Sequence, residues 1–269
     1  MRADGEIGGG KGANPCAETN TRSGNSQCSP GQILVVGLGP GDRELLTPQA
    51  EKALKDSQVI IGYRTYTKLI AHLAEGKEVI SSGMRREKDR AYKAVEMAEQ
   101  GVKVAVISSG DPGIYGMAGI ILEITSDRVP VTIIPGITAA SAAASAVGAP
   151  LMNDFVIISL SDLLTPWEKI IKRLEAAGQG DLVTVLYNPK STERQENLSA
   201  ARDVLLKYQC KNTPVALVRN AKRGDEEIVI TDLNNLHKEY VDMLTVVIVG
   251  NSETYLKDGR MITPRGYPL

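Results

Sequence analysis

Aromatic side chains are scarce in this sequence, which has one Trp, one Phe and nine Tyr among 269 residues. So few rings argue against recognition of single-stranded nucleic acid by base stacking. Neither sign of charge is in excess, because the formal net charge is −1, so no field over the whole surface points to nucleic acid or to an anionic membrane. Hydrophobic residues make up 42% of the chain, and Val, Ile, Leu and Ala must fill its core.

Cysteine is also rare. Cys16, Cys28 and Cys210 lie far apart, without the close, even spacing of a disulfide framework. No apolar run approaches the roughly 18 residues of a membrane span, and the first thirty residues lack the apolar segment of a secretory signal. No cluster of His and Cys has the spacing of metal ligands. We therefore predict a cytoplasmic protein with no protein-bound metal and no nucleic-acid or membrane partner.

The chain falls into a tail and two further segments. Residues 1–30 are rich in Gly, Ser, Asn and Thr and have no periodic apolar positions, which predicts a disordered tail. Small and turn-forming residues at 147–154 predict a boundary between one domain at 31–150 and a second at 151–269.

Short runs of β-branched residues, apolar on both faces, alternate with amphipathic stretches from residue 33 onward. Such runs are typical of strands covered by helices on both sides. The predicted strands are 33–37, 58–62, 102–107, 131–134, 155–160, 182–187, 215–219 and 244–250. We expect an α/β fold of two αβα domains, with mixed, mostly parallel sheets and the active site in the cleft between them.

Three helix starts are also indicated by sequence. Thr47 before Pro48 has the pattern of an N-cap followed by proline at the first helical position. Residues 165–168 have the pattern of a capping box that begins at Thr165. Thr138 is a candidate N-cap for a helix over 139–147.

Three glycine-containing motifs each follow a predicted strand of the first domain. They are residues 37–42 (GLGPGD), 108–116 (SSGDPGIYG) and 135–140 (PGITAA). Glycine lets the backbone turn sharply and approach a ligand closely. Structural alternatives stay open: a tight turn for the first motif, and N-caps at Asp111 and Thr138 for the others. Because all three end strands of one domain, we expect them to converge on one cleft.

A nucleotide-dependent oxidoreductase is the competing interpretation of the first motif. A dinucleotide fingerprint would need glycine where Asp42 stands, and an acidic residue at the end of the second strand, where Gly62 and Tyr63 stand. A P-loop is excluded because no Gly-Lys-Ser/Thr follows.

The order of these motifs resembles the tetrapyrrole (precorrin) methylase superfamily, and the similarity spans residues 31–269. The second half is similar to the precorrin-3B C(17)-methyltransferase subgroup. The stretches that carry this finer resemblance are 154–167, 186–189, 213–215, 218–221, 242–245 and 263–267, together with 62–66 and 83–84.

This resemblance implies a homodimeric S-adenosylmethionine-dependent C-methyltransferase of cobalamin biosynthesis. The implied reaction methylates carbon 17 of precorrin-3B, or of cobalt-factor III or cobalt-precorrin-3, with ring contraction to precorrin-4. Three alternatives remain open: a methylase of the same superfamily acting at another ring carbon, one acting on a diphthine precursor, and a non-catalytic tetrapyrrole carrier.

The resemblance also implies site residues. The implied cofactor-binding residues are Pro40, Gly110, Asp111, Ile114, Thr138, Ala139, Tyr187, Asn188, Asn220 and Ala221. An acidic macrocycle calls for Arg and hydroxyl donors, and the candidates for binding it are Tyr63, Arg85, Ser159, Ser161 and Arg265. Further Arg candidates are Arg86, Arg90, Arg219 and Arg223. Asp111, Asp162 or a carboxylate of the substrate is the candidate base for the ring contraction, and the sequence does not choose between them.

Overall fold

The computed structural model describes residues 31–191 and 194–268. The predicted tail at 1–30, with Cys16 and Cys28, lies outside the described residues. The seven α-helices of the described part are α1 (Pro48–Asp56), α2 (Arg64–Leu69), α3 (Glu87–Glu99), α4 (Ala118–Ile124), α5 (Ala139–Val147), α6 (Trp167–Gln179) and α7 (Asn197–Leu205). Its strands are β1 (Gln32–Gly37), β2 (Val59–Tyr63), β3 (Glu78–Ser82), β4 (Lys103–Ser108), β5 (Val131–Ile134), β6 (Gly148–Ala149), β7 (Phe155–Ser159), β8 (Val183–Tyr187), β9 (Pro214–Arg219), β10 (Glu227–Asp232), β11 (Thr245–Val249), β12 (Tyr255–Lys257) and β13 (Arg260–Ile262).

The first sheet is parallel throughout, in the order β3-β2-β4-β1-β5. Successive residues of β1 point to opposite faces. Ile33 and Val35 pack in the core that includes α3 and α4, whereas Leu34 and Val36 pack in the core that includes α1. Both faces are therefore covered, as the continuous apolar runs predict.

The second sheet is mixed, in the order β10-β9-β11-β8-β7. β7 and β8 are parallel, and the other three pairs are antiparallel. Since β8 and β9 are each antiparallel to β11, they run in the same direction as β7. The carboxyl ends of β7, β8 and β9 therefore lie at one edge of the sheet, and α6 and α7 cover one of its faces.

Helix α5 packs on the other face of the second sheet. Its alanines share a core with residues of β8, β9 and β11. Small side chains let a helix approach a sheet closely. The two-residue strand β6 follows α5 directly and pairs with β13, which forms a hairpin with β12. The predicted boundary at residue 150 stays a prediction, and this helix of the first segment belongs to the core of the second sheet.

The fold class is confirmed, and the eight predicted strands are present with ends shifted by at most one residue. β3, β10 and the small sheet of β6, β12 and β13 were not predicted. The N-cap at Thr47 is confirmed, because its hydroxyl accepts a hydrogen bond from the Ala50 amide at 3.1 Å. The capping box at Thr165 is wrong, because α6 begins at Trp167, Pro166 precedes it and no side chain caps it. In the part of the chain that the structure describes, no helix is both long and apolar enough to cross a membrane.

Candidate active site

The three glycine-containing loops meet at one edge of the first sheet, as predicted. They follow β1, β4 and β5, which are adjacent strands in the order β4-β1-β5. Gly39 and Gly110 join the first two loops through two backbone hydrogen bonds, Gly110 N to Gly39 O at 2.7 Å and Gly39 N to Gly110 O at 3.2 Å.

Close packing of the loops explains two of the glycines. A Cβ on Gly136 would lie 2.2 Å from the Gly110 carbonyl oxygen, and one on Gly37 would lie 2.6 Å from the Gly136 nitrogen. Both are backbone atoms and cannot move aside as a flexible side chain would. Gly110 has a φ of 66°, the left-handed region that favours glycine. A Cβ on Gly110 would lie 3.7 Å from the Ala139 nitrogen and the Thr138 Cα, so Thr138 and Ala139 border the same junction.

Asp111 joins the second loop to the third. Its Oδ1 accepts a hydrogen bond from the Gly113 amide at 2.8 Å, and its Oδ2 accepts one from the Gly136 amide at 3.1 Å. The N-cap alternative for Asp111 is wrong, because Met117 precedes α4. Ile114, predicted beside it, is half-buried. Asp111 therefore fixes the shape of the loop cluster.

Tyr187, at the end of β8, connects the second sheet to the third loop. Its hydroxyl accepts a hydrogen bond from the Ala140 amide at 2.6 Å and lies 2.6 Å from the Thr138 hydroxyl. Thr138 precedes α5, as predicted, but its side chain bonds Tyr187 and makes no cap hydrogen bond. Burial raises the pKa of Tyr187, and the hydrogen bonds from Thr138 and Ala140 partly offset this effect.

Replacing Tyr187 with phenylalanine should lower the free energy of unfolding by about 1–3 kcal/mol. The change leaves the Ala140 amide and the Thr138 hydroxyl without their partner at the start of α5. Urea denaturation measures the effect. Tyr208→Phe is the control, since it removes one long hydrogen bond of 3.4 Å from a ring that is partly exposed. An equal loss of unfolding free energy in the two variants would contradict a stabilising role for the Tyr187 hydroxyl.

Tyr115 docks the second loop onto β7, a contact that the sequence did not reveal. Its hydroxyl donates to the Ile157 carbonyl at 3.2 Å and accepts from the Ser159 amide at 3.2 Å. Its φ is 54°, a left-handed conformation that is uncommon for a bulky residue. The ring centroids of Tyr115 and Tyr187 are 6.0 Å apart, so the two tyrosines line the same junction between the sheets.

Polar groups gather where β7, β8 and β9 end. The Ser159 hydroxyl oxygen accepts hydrogen bonds from Asn188 Nδ2 at 3.0 Å and from the Ser161 amide at 3.2 Å. Its own proton therefore stays available to a third group. Asn188 and Asn220 both have a φ of 51°, each directly after a strand, and strained backbone of this kind clusters at functional sites. Ala221 is buried in the core beneath α5.

Arg223 links the second half of the chain to the first two loops. Its Nε donates to the Pro40 carbonyl oxygen, and its Nη2 donates to the Ser109 hydroxyl at 3.0 Å. Arg223 follows β9, close to Asn220, whose carbonyl accepts the Arg223 amide at 2.9 Å. The sequence indicates Arg223 as a candidate for binding the acceptor. In the structure its guanidinium holds the two halves together.

Other predicted arginines are likewise engaged by the protein. Arg90 is buried and donates to the Ser82 hydroxyl, the Gly83 carbonyl and Glu87 at 2.8–2.9 Å. Arg86 pairs with Asp89 at 2.7 Å on the exposed start of α3.

Arg219 pairs with two carboxylates of its own half. The ion pair with Asp242 measures 2.9 Å and the one with Glu227 measures 3.4 Å. Burial raises the pKa of Asp242, but the hydrogen bonds from Arg219, Leu244 and Thr245 outweigh this and lower the pKa below its ordinary value. The positive charge of Arg219 is therefore already balanced by Asp242 and Glu227.

Tyr63 ends β2 and Arg85 follows β3, at the same edge as the three loops. The Tyr63 ring contacts Tyr66 edge-on, with centroids 5.1 Å apart. Burial raises the pKa of Tyr66, and the charge of Arg223 opposes that shift. Arg85 is exposed and has a φ of 63°. These residues extend the cleft edge beyond the loop cluster.

Arg265 lies away from this edge. Its Nη1 donates to the Met152 carbonyl at 3.4 Å, shortly before β7 begins, whereas Ser159 ends β7 on the cleft side. The structure does not bring it to the other acceptor candidates, and its role in binding the acceptor stays a prediction. Among the residues that the structure describes, no group of three or more His, Cys, Asp and Glu could hold a metal ion.

Asp162 and Arg194 form a pair that the sequence did not reveal. Arg194 lies in the loop after β8 and Asp162 in the loop after β7. The Arg194 Nε is 3.9 Å from Asp162 Oδ1. A single Arg in a polar stretch, residues 190–197, carries no signal that separates it from a solvated charge.

Comparison with known proteins places these features in a family. The family model described as "Tetrapyrrole (Corrin/Porphyrin) Methylases" matches residues 32–237. A Salmonella typhimurium protein named "Probable cobalt-factor III C(17)-methyltransferase" is 50% identical over 240 residues, which cover 88% of this chain and all of that protein. A Priestia megaterium protein named "Cobalt-factor III methyltransferase" is 49% identical over 88% of this chain and 45% of its own length. The chain thus spans about half the length of several curated relatives.

Solved structures share this fold. The crystal structure of the methyltransferase CobJ superposes with a TM-score of 0.83 at 38% identity, over 87% of this chain and all of that one. A uroporphyrin-III C-methyltransferase from Thermus thermophilus, complexed with S-adenyl homocysteine, has a TM-score of 0.64 at 24% identity, over 82% of this chain and 92% of that one. The second likeness supports the fold alone.

Proposed function

Because the chain belongs to the tetrapyrrole (corrin/porphyrin) methylase family, we propose that it transfers the methyl group of S-adenosylmethionine to carbon 17 of cobalt-factor III in cobalamin biosynthesis. One observation carries the proposal: half of the residues are identical to those of the Salmonella protein over that protein's whole length. The relatives whose names state an acceptor are named for cobalt-factor III and match at 42–50% identity, and the mycobacterial "Cobalamin biosynthesis protein CobIJ" matches at 42%. These printed names support the cobalt-containing acceptor.

The residues of the loop cluster fit S-adenosylmethionine as methyl donor. At Gly110, whose φ of 66° favours glycine, an added Cβ would make only ordinary van der Waals contacts with Thr138 and Ala139. Asn188 and Asn220 turn their backbones sharply at the ends of β8 and β9, across the junction. We propose a donor site bordered by the predicted cofactor residues, Pro40, Gly110, Asp111, Ile114, Thr138, Ala139, Tyr187, Asn188, Asn220 and Ala221. Bound there, the donor supplies a methyl group already activated by a positively charged sulfur.

The protein then acts mainly by positioning the methyl donor and the acceptor. Tyr115, Tyr187 and Arg223 fix the two sheets relative to each other through contacts that span at least 42 residues. Holding two reactants in the correct geometry accounts for about 7–11 kcal/mol of barrier reduction. Backbone carbonyl oxygens in the loops present partial negative charge to a cation. No nucleophilic side chain is required.

The two predicted bases differ in their surroundings. Asp111 uses both carboxylate oxygens to hold backbone amides of two loops. We assign it to positioning those loops, and not to proton transfer in the ring contraction. Asp162 is partly exposed and lies beside Arg194. A homodimer and a cytoplasmic location stay predictions, and light scattering on the purified protein tests the first.

Incubation of the purified chain with methyl-labelled S-adenosylmethionine tests the proposed function. Cobalt-factor III should gain one labelled methyl group, precorrin-3B should gain it more slowly, and uroporphyrinogen III should gain none. Mass spectrometry detects the label, and carbon NMR of the product identifies the methylated ring carbon. Label at another ring carbon, or faster labelling of uroporphyrinogen III, would overturn the proposal.

A further inference from the structure

Arg194 is a largely buried cation whose Nε lacks a hydrogen-bond partner among the described residues. Its side chain is 9% exposed, and its nearest carboxylate oxygen, Asp162 Oδ1, lies 3.9 Å from Nε. That distance is too long for a hydrogen bond. Within residues 31–191 and 194–268, the buried Nε has no hydrogen-bond acceptor. A guanidinium in this state is costly to bury, so its position needs an explanation.

The backbone around Arg194 is held firmly. Ser191 and Arg194 exchange two backbone hydrogen bonds, of 3.1 and 3.2 Å. Three residues later, the Asn197 side chain donates to the Leu160 carbonyl at 2.8 Å, which ties the start of α7 to the loop after β7. Arg194 and Asp162 are therefore brought together by two loops that are themselves bonded to each other.

The pair lies at the edge of the sheet where the proposed site is located. Asp162 follows β7 and Arg194 follows β8, and these parallel strands are neighbours. Ser159 and Asn188, which end the same two strands, are hydrogen-bonded to each other at 3.0 Å. Asp162 is the more exposed partner, with 40% of its side chain accessible. A carboxylate that exposed can move away from Arg194 at little cost.

We propose that Arg194 binds a carboxylate of the tetrapyrrole acceptor, and that Asp162 is the counter-ion that balances its charge until the acceptor arrives. This inference rests on the proposed function, which supplies a macrocycle bearing several acetate and propionate groups. The planar guanidinium pairs with a carboxylate through two parallel hydrogen bonds, which a 3.9 Å contact with Asp162 does not provide. Arrival of the acceptor displaces one carboxylate and supplies a better placed one. Asp162 is then a competitor for Arg194, and not the catalytic base.

Steady-state kinetics on two variants of the full chain test the exchange. Arg194→Met should raise the KM for cobalt-factor III about tenfold to a hundredfold, since it removes a charge-assisted pair. Asp162→Asn should lower that KM, because the competing charge is gone, without a fall in kcat. Calorimetry should give the same S-adenosylmethionine affinity in both variants as in the wild type. Arg194→Lys should recover part of the loss, because it restores the charge but not the planar pair.

Arg128→Met is the matched control, because Arg128 is an exposed arginine just before β5, at the opposite edge of the first sheet. It should leave the acceptor KM unchanged. Three results overturn the inference: a KM within twofold of wild type in Arg194→Met, a higher KM in Asp162→Asn, or a lower kcat in Asp162→Asn, which would make Asp162 the base. Absence of methylation by the wild type would instead refute the proposed function. Urea unfolding midpoints of the variants separate a binding effect from loss of the fold.

Discussion

Replacing Gly136 with alanine should reduce kcat/KM for methyl transfer by about a hundredfold, because the loop cluster has no room for a methyl group at this position. The new Cβ would lie 2.2 Å from the Gly110 carbonyl oxygen and 2.8 Å from the Gly37 carbonyl carbon. Relief of that overlap must move the first, second or third loop, and a displacement of about 1 Å at a site built for placement costs about a hundredfold in rate. Overpacking should also lower the free energy of unfolding by about 1–3 kcal/mol.

Initial rates with labelled S-adenosylmethionine measure the loss of activity, and urea denaturation measures the loss of stability. Gly119→Ala is the matched control. Gly119 lies in α4 with no atom within 4 Å of an added Cβ, and alanine favours a helix over glycine by up to about 1 kcal/mol. The control should therefore keep full activity. Wild-type rates in Gly136→Ala would show that the loops do not need their present contact.

Arg223→Met should weaken S-adenosylmethionine binding by about tenfold to a hundredfold. The guanidinium joins the loop after β9 to the Pro40 carbonyl and the Ser109 hydroxyl, so its loss separates the two sides of the proposed donor site. Hydrogen bonds from a charged donor contribute about 1.5–3 kcal/mol each. Loss of both hydrogen bonds should let the two sides of the donor site move apart. Arg223 itself is not one of the predicted cofactor-binding residues.

Titration calorimetry with S-adenosylmethionine measures this effect. Arg173→Met, on the exposed face of α6, removes the same charge far along the chain from the loops and should bind the donor as the wild type does. The donor affinity of Arg223→Lys should lie between those of Arg223→Met and the wild type, because one ammonium group cannot reproduce the two directed hydrogen bonds. A donor affinity equal to wild type in Arg223→Met would refute a linking role for this residue.

Much of the architecture was predictable because burial on both faces leaves a strong signal. Strands such as β1 and β4 are apolar at nearly every position, and helices cover both sides of them. β3 and β10 escaped prediction because they are edge strands with exposed or half-buried side chains, and their apolar runs are only two and three residues long. The second sheet is less parallel than predicted, since β11 is fully buried between two antiparallel neighbours. Apolar content alone does not reveal the direction of such a strand.

The loop cluster was also predictable, since three glycine-containing motifs follow three strands of one parallel sheet. The contacts across the junction were not. Tyr115 with Ser159, Tyr187 with Ala140, and Arg223 with Pro40 are separated by 44, 47 and 183 residues. No local spacing encodes such pairs. For the same reason, sequence alone could not separate Arg223, which joins the halves, from Arg194, whose guanidinium lacks a well-placed partner.

The packing of α5 has a consequence for protein engineering. This helix ends at Val147, where the predicted boundary segment begins, yet its alanines complete the interior of the following sheet. An exchange of acceptor specificity by swapping carboxyl-terminal halves between two family members would need its crossover ahead of Ala139, so that the transplanted sheet keeps its own covering helix. A crossover at residue 150 would join the second sheet of one parent to the α5 helix of the other. Recombination points in this family should accordingly fall within the third loop.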